Sequence, residues 1–166
     1  MRTERRFRER TRLAPTGNER TFVLCSVGQS QFAIPVEFVR QIVAPQKLTA
    51  VPEHSELVLG AIEYRGSVVP IVDVARGLGL GPVPPTGKEK WILLSHEGRT
   101  FGVLVSQVHD VIRVAESLFR QSLRDQNAGV LTSDEVFTHR DTIVFIVSVP
   151  RIAQLSFPSP PALVSK

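Results

Sequence analysis

Leu57-Val58-Leu59-Gly60-Ala61-Ile62-Glu63-Tyr64-Arg65-Gly66-Ser67-Val68-Val69-Pro70-Ile71-Val72-Asp73-Val74 reads as two strands folded back about Arg65-Gly66. β-branched residues dominate both arms, and the glycine permits the positive φ that a two-residue turn needs. Similar hairpins lie on either side. Thr21 to Val27 and Gln31 to Val36 enclose Gly28-Gln29-Ser30, and Lys90 to His96 and Thr100 to Val105 enclose Glu97-Gly98-Arg99. Thr142 to Val149 is a further strand, entered through a turn at His139 to Asp141. Pro35 and Pro70 have no N–H for a ladder, which predicts edge or bulge positions. Val108, Val111, Ile112, Ala115, Leu118 and Phe119 follow helical spacing, whereas Val111 to Val114 is β-rich. That stretch reads as a helical turn, then a strand, then a loop or short helix over 116–124.

The chain repeats itself. A shift of 69 positions lays Phe22-Val23-Leu24 on Trp91-Ile92-Leu93 and Phe32-Ala33-Ile34 on Phe101-Gly102-Val103, and continues through Val39/Val108 and Ile42/Val111. A shift of 75 lays Val69 to Arg76 on Val144 to Arg151. Two like β units around the Gly81-to-Gly87 linker explain both matches. Five short strands avoid exposed edges by curling into a small barrel, and two barrels too small to be comfortable alone should pack together. The expected fold is all-β: two packed five-stranded SH3-like barrels with short helical turns. The first barrel is expected at about 20–82, the linker at 81–87 and the second barrel at about 88–155. A disordered basic tail is expected at 1–19, removable without unfolding the domain, and a disordered Pro-rich tail at 156–166.

Composition excludes several classes. The chain has 166 residues, 42 % of them hydrophobic. Its longest apolar run is Ile143 to Val147, far short of the ~20 residues of a membrane span. Residues 1–20 hold seven arginines against three glutamates, which leaves 13 basic and 13 acidic residues elsewhere. The excess charge belongs to a tail, so no basic domain face for nucleic acid is expected. No apolar segment follows the arginines, as a signal peptide would require. An SH3-like barrel pair binding RNA would interleave aromatics with basic residues on its strands, and this chain does not.

Catalytic patterns are incomplete. His139-Arg140-Asp141 copies a kinase catalytic-loop triplet, but Ile146 stands where that loop needs asparagine. Gly77-Leu78-Gly79-Leu80-Gly81 lacks phosphate-loop spacing and runs into Pro82. His54, His96, His109 and His139 are scattered, and one cysteine cannot build a cysteine zinc site. Cys25 reads as a small core residue or a solvent-facing one, with no adjacent base to activate it. Ser95 and His96 point to opposite faces of a strand. Trp91 alternates with Leu93 and reads as core. No catalytic residue, metal or cofactor is expected.

Three blocks resemble the CheW-like coupling proteins of bacterial chemotaxis. Phe32-Ala33-Ile34-Pro35-Val36 with Val39-Arg40-Gln41-Ile42 is similar to the family's F-G-I-P-V…V-x-E-I. Val51-Pro52, Gly60 to Gly66 and Val68 to Asp73 are similar to V-P…G-x-x-N-L-R-G-x-V-V-P-V-x-D. Phe101 to Val105 with Val108-His109-Asp110-Val111 is similar to the third block. The resemblance implies a non-enzymatic cytoplasmic adaptor, recruited to membrane-associated receptor arrays without inserting in the membrane. Its implied partners are the regulatory domain of a CheA-type histidine kinase and the cytoplasmic tip of a methyl-accepting chemoreceptor. It implies a groove near Val39, Gly60 and Val111, with Arg65 and Gly66 at the hairpin tip and Gln41, from the first block, as a further binding residue. The family's glutamate is Gln41 here, so the charge pair with Arg65 is missing; Gln41 would offer a neutral amide, with Glu37 or Glu63 as sources of charge. Glu63-Tyr64 replaces Asn-Leu, and Ser106 replaces an aspartate. These departures also suit a divergent system, such as one controlling gliding or pilus motility, or CheW-like scaffolding outside chemotaxis.

Overall fold

Four hairpins turn where glycine or charged turn residues take positive φ, and they set the frame of the protein. The computed structural model describes residues 18–51, 56–80, 83–121 and 132–157. In chain order the strands are β1 (Glu19–Val27), β2 (Ser30–Pro35), β3 (Val39–Val43), β4 (Val58–Tyr64), β5 (Ser67–Asp73), β6 (Lys90–His96), β7 (Arg99–Val105), β8 (Gln107–Ala115), β9 (Arg120–Gln121), β10 (Thr132–His139) and β11 (Thr142–Val147). Two short helices follow the last strand of each repeat: α1 (Val74–Gly77) and α2 (Val149–Ser156). Both central residues have positive φ at Arg65-Gly66, Glu97-Gly98 and Arg140-Asp141, the conformation that matches the twist of tight hairpins.

The strands form two sheets, ordered β8-β1-β2-β11-β10-β9 and β3-β6-β7-β5-β4. The internal repeat maps one order onto the other: β1, β2 and β8 correspond to β6, β7 and β3. Neither sheet is one contiguous unit, so barrels at 20–82 and 88–155 do not describe the molecule. Each sheet holds the first hairpin of one repeat and the later hairpin of the other. The joins are parallel, β2 with β11 and β5 with β7. Parallel neighbours need a long crossover, so a tight hairpin cannot place its own arms this way.

Alternation along each strand sorts side chains into three cores. Phe22 and Leu24 enter a cluster with Ala33, Ile112, Phe137 and Ile146, drawn from strands β8 across to β10 of the first sheet, which therefore curls around it. Trp91 and Leu93 enter the corresponding cluster of the second sheet with Ile62, Val69 and Ile71. The opposite faces, including Val23, Cys25, Ile92 and Leu94, meet in a central core shared by the sheets. A residue and its neighbour thus serve different cores, as the two-residue period of a strand requires. Packing is tight at Gly102, where a Cβ would lie 2.6 Å from Ile71 Cδ1.

Several expectations are corrected. Gln107–Ala115 is one strand without a preceding helical turn; its β-branched residues and pairing with β1 override the helical spacing. A 3-10 turn at Glu116–Leu118 follows it. The strand expected through Val149 stops at Val147, and Pro150 enters the first turn of α2, where a missing N–H is tolerated. Pro35 and Pro70 lie in inner strands. Pro70 faces Ala61, whose N–H and C=O both bond Thr49 at 2.8 Å, so Ala61 asks for no proline N–H. Of the expected tails, 1–17 and 158–166 lie outside the described residues, whereas Glu19 opens β1 and Ser156 closes α2.

Candidate functional site

β3 and β4 are the two outer strands of the five-stranded sheet. Gln41 projects from β3, exposed, and Tyr64 is the last residue of β4. The Tyr64 hydroxyl donates to Gln41 Oε1, so one hydrogen bond joins the sheet's two margins. Arg65 follows with φ 51°, and its Cζ lies 5.2 Å from the centre of the Tyr64 ring. That distance permits a cation–π contact. Among the described residues no carboxylate lies within ion-pair distance of Arg65. Gln41 and Arg65 are thus brought together through Tyr64, and neither Glu37 nor Glu63 supplies the charge. Gly66, φ 82°, completes the turn in open space.

The other three expected residues lie elsewhere. Val39 starts β3 and packs, half-buried, on the central core. Val111 lies on β8, opposite Val23, and packs on the same core from the margin of the other sheet. Gly60 lies on β4, against Leu48, which packs on the second sheet's own cluster. It sits at an irregularity in the β4–β5 pairing, under the segment that crosses from β3. A Cβ there would lie 2.9 Å from the Thr49 carbonyl oxygen and 3.0 Å from Leu48 Cβ. Its glycine is required by this close backbone approach.

Tyr64 and Ser106 were not singled out as site residues in the sequence. For Tyr64 the available signal was the coincidence of two departures from one pattern, Gln41 for glutamate and Tyr64 for leucine. Ser106, 6 % exposed, ties three segments. Its Oγ accepts the Gly28 N–H at 3.0 Å, its N–H donates to Ser26 O at 2.8 Å, and its carbonyl accepts from Thr86 Oγ1 at 3.0 Å. It anchors the linker to the end of the first hairpin.

A cavity of about 430 Å³ lies beside this anchor, lined by Val27, Ala75, Val83 and Val105 with Asp73 and Glu89. Both carboxylates are engaged by backbone. Asp73 Oδ1 accepts from Ala75 N at 3.0 Å as the cap of α1. The N–H of Thr86, with that of Gly87, holds the Glu89 carboxyl below its ordinary range. Cys25 is a core residue, 1 % exposed; burial pushes its thiol up to about 12. His96 packs edge-on to Phe38, and His109 Nε2 lies 3.1 Å from Ser26 Oγ. His54 lies outside the described residues. Among those described, no three His, Cys, Asp or Glu side chains group as metal ligands, and no helix is long and apolar enough to cross a membrane.

Comparison with known proteins places this geometry. The chain is 30 % identical over 102 residues to a protein of Rhizobium etli named "Probable chemotaxis protein CheW". It is 33 % identical over 101 residues to the chemotaxis protein CheW of Rhizobium meliloti. Each match covers 61 % of this chain, and 66 % and 65 % of the two relatives, just under two thirds of their length. The chemotaxis protein CheW of Helicobacter pylori is 25 % identical over 141 residues, 82 % of either chain. The crystal structure of the scaffolding protein TtCheW from Thermoanaerobacter tengcongensis superposes with a TM-score of 0.72 at 20 % identity, covering 80 % of this chain and 90 % of that one. The family profile described as the CheW-like domain matches residues 21–157, and the chain belongs to that family.

Proposed function

We propose that this protein is a non-enzymatic adaptor that couples chemoreceptors to a CheA-type histidine kinase in a bacterial chemosensory array. The observation that carries the reading is the family match over nearly the whole described chain. The surface supports it. Val68 is 74 % exposed and Ile143 56 % exposed, each on a strand just after a hairpin turn. The turns, Arg65-Gly66 and Arg140-Asp141, correspond in the repeat, so each sheet offers an exposed turn arginine and, three residues on, an exposed aliphatic side chain. Isolated exposed apolar residues are ordinary, but the same combination on both sheets suits protein docking.

An adaptor of this kind acts through geometry. The shared central core makes the two sheets one body, so partners held on either sheet keep a fixed relation. A receptor's states then bias the kinase only through contacts that differ between those states. Val39 and Val111, at the margins of the two sheets, would border the receptor groove. The protein would be recruited from the cytoplasm to the receptor array by these contacts. It would need no metal or cofactor.

The test is a binding assay with the purified chain. The kinase regulatory domain and the receptor's cytoplasmic hairpin tip, both from the source genome, should bind. A structureless RNA should not be retained once salt is raised, because phosphate contacts weaken steeply with ionic strength. Salt-resistant RNA retention with no binding of either protein would overturn the reading.

A further inference from the structure

The sole tyrosine joins features that the six expected positions leave unconnected. Its hydroxyl reaches from the end of β4 to the side chain of Gln41 on β3, across the sheet's open margins. Its ring lies against the Arg65 guanidinium. In the family's pattern position 41 is glutamate, set to neutralise the arginine, and position 64 is leucine. The two substitutions amount to one exchange. A charge pair gives way to a neutral phenol–amide hydrogen bond, and Arg65 keeps its full charge at the surface. A guanidinium stays protonated at any working pH, and its planar fork suits a carboxylate. Stacking on the ring limits its motion before a partner arrives, which lowers the entropy lost on docking. Val68, exposed, pairs with Glu63 and lies on the other face of the hairpin from Tyr64.

We propose that Tyr64 is a positioning residue that fixes partner specificity: it latches the two outer strands through Gln41 and holds an unneutralised Arg65 outward for a carboxylate of the docking partner. This rests on the adaptor reading, and the tests separate the two. Without any partner, ring-labelled tyrosine gives the NMR signals of one residue. Arg65→Ala and Gln41→Ala should each displace them, and unmoved signals overturn the latch. With the kinase regulatory domain and the receptor hairpin tip as probes, Arg65→Ala should weaken binding of at least one about tenfold. For that probe Tyr64→Phe should cost about threefold and Tyr64→Leu about tenfold, roughly 1.4 kcal/mol. Gln41→Glu should also weaken it by neutralising Arg65. Tyr64→Leu added to Arg65→Ala should cause no further loss, because the tyrosine acts through the arginine. Loss on both backgrounds would mark Tyr64 as merely structural and overturn the proposal. If Arg65→Ala weakens binding and Tyr64→Leu does not, the proposal falls and the adaptor reading stands. If the unaltered protein binds neither probe, the adaptor reading falls and takes this claim about a partner with it.

Discussion

Arg65 occupies a position where stability and recognition should separate. It is exposed, in a turn, and its described contact is the Tyr64 ring, worth about 0.5–1 kcal/mol at such a site. Arg65→Ala should therefore shift the melting free energy by less than about 1 kcal/mol while weakening partner binding at least tenfold. Gln41→Glu should leave the fold intact and stabilise it by about 0.2–1 kcal/mol, the range of exposed ion pairs, with the gain shrinking at high salt. Melts of the two single variants and the double variant check this, because the gain should vanish when Arg65 is alanine. Cys25 makes a different claim. Its thiol donates to the Phe32 carbonyl at 3.6 Å, is buried, and is pushed up to about 12, so almost no thiolate exists at pH 8. A disulfide reagent at pH 8 should modify the native protein only at its opening rate and the denatured protein within mixing time. Rapid native labelling would place the thiol at the surface.

At the scale of elements, α2 is the piece whose loss should matter most. Ile152 is fully buried in the central core, with Val149 and Ala153 beside it. Ile152→Ala should cost about 2–5 kcal/mol, read as a lower urea midpoint at unchanged slope. An unchanged midpoint would mean that the helix only rests on the surface. The start of β1 sets a sharp boundary. Glu19 pairs with Arg113 at 2.7 Å, Arg20 pairs with Glu135 at 3.1 Å, and the Asn18 carbonyl accepts the Glu116 N–H at 2.9 Å. The Arg20 guanidinium also lies 4.8 Å from the Phe119 ring centre. A chain beginning at Asn18 should melt with the full-length protein, whereas one beginning at Thr21 should melt roughly 2–8 °C lower. Equal melting of the two truncated chains would show that these contacts contribute nothing measurable.

For the whole molecule, the exchanged hairpins make the repeats interdependent. The β1–β2 hairpin completes the sheet built by β8, β10 and β11, and β6–β7 completes the sheet built by β3, β4 and β5. Cutting the chain in the linker after Pro84 should give two fragments that do not fold alone, since each half lacks strands of both sheets. Mixed, they should recover the β-sheet circular dichroism and the dispersed amide spectrum of the intact protein. Independent folding of either fragment would contradict the pairing. The linker itself is held by the bonds to Ser106 and by the Glu89 carboxylate. That carboxyl has a lowered pKa when folded, so its contribution is complete above the ordinary glutamate range and is lost as pH falls through the folded value. The linker contacts should therefore hold through the ordinary glutamate range and loosen only as pH falls through that lower value, read from the amide signals of Thr86 and Gly87.

Most strands, their turns and the internal repeat were legible in the amino-acid order, because side-chain alternation and turn chemistry act over a few neighbouring residues. Arg65-Gly66, Glu97-Gly98 and the spacing of Phe22 with Trp91 required nothing distant to be read. The family blocks followed from the same local patterns, and with them the candidate residues Gln41 and Arg65. Which sheet each hairpin joins was decided only by the tertiary structure. The repeats are alike, so β1–β2 could satisfy its apolar alternation against strands of either one. The parallel joins that choose between them are non-local: one brings together Phe32 and Phe145, more than a hundred positions apart, and the other Ile71 and Gly102, across the linker. The latch has the same origin. Tyr64 and Gln41 are 23 residues apart and meet because the sheet curls until its outer strands approach. That curl is set by packing around Trp91 and Leu93, a collective property of the core that no single stretch of sequence encodes.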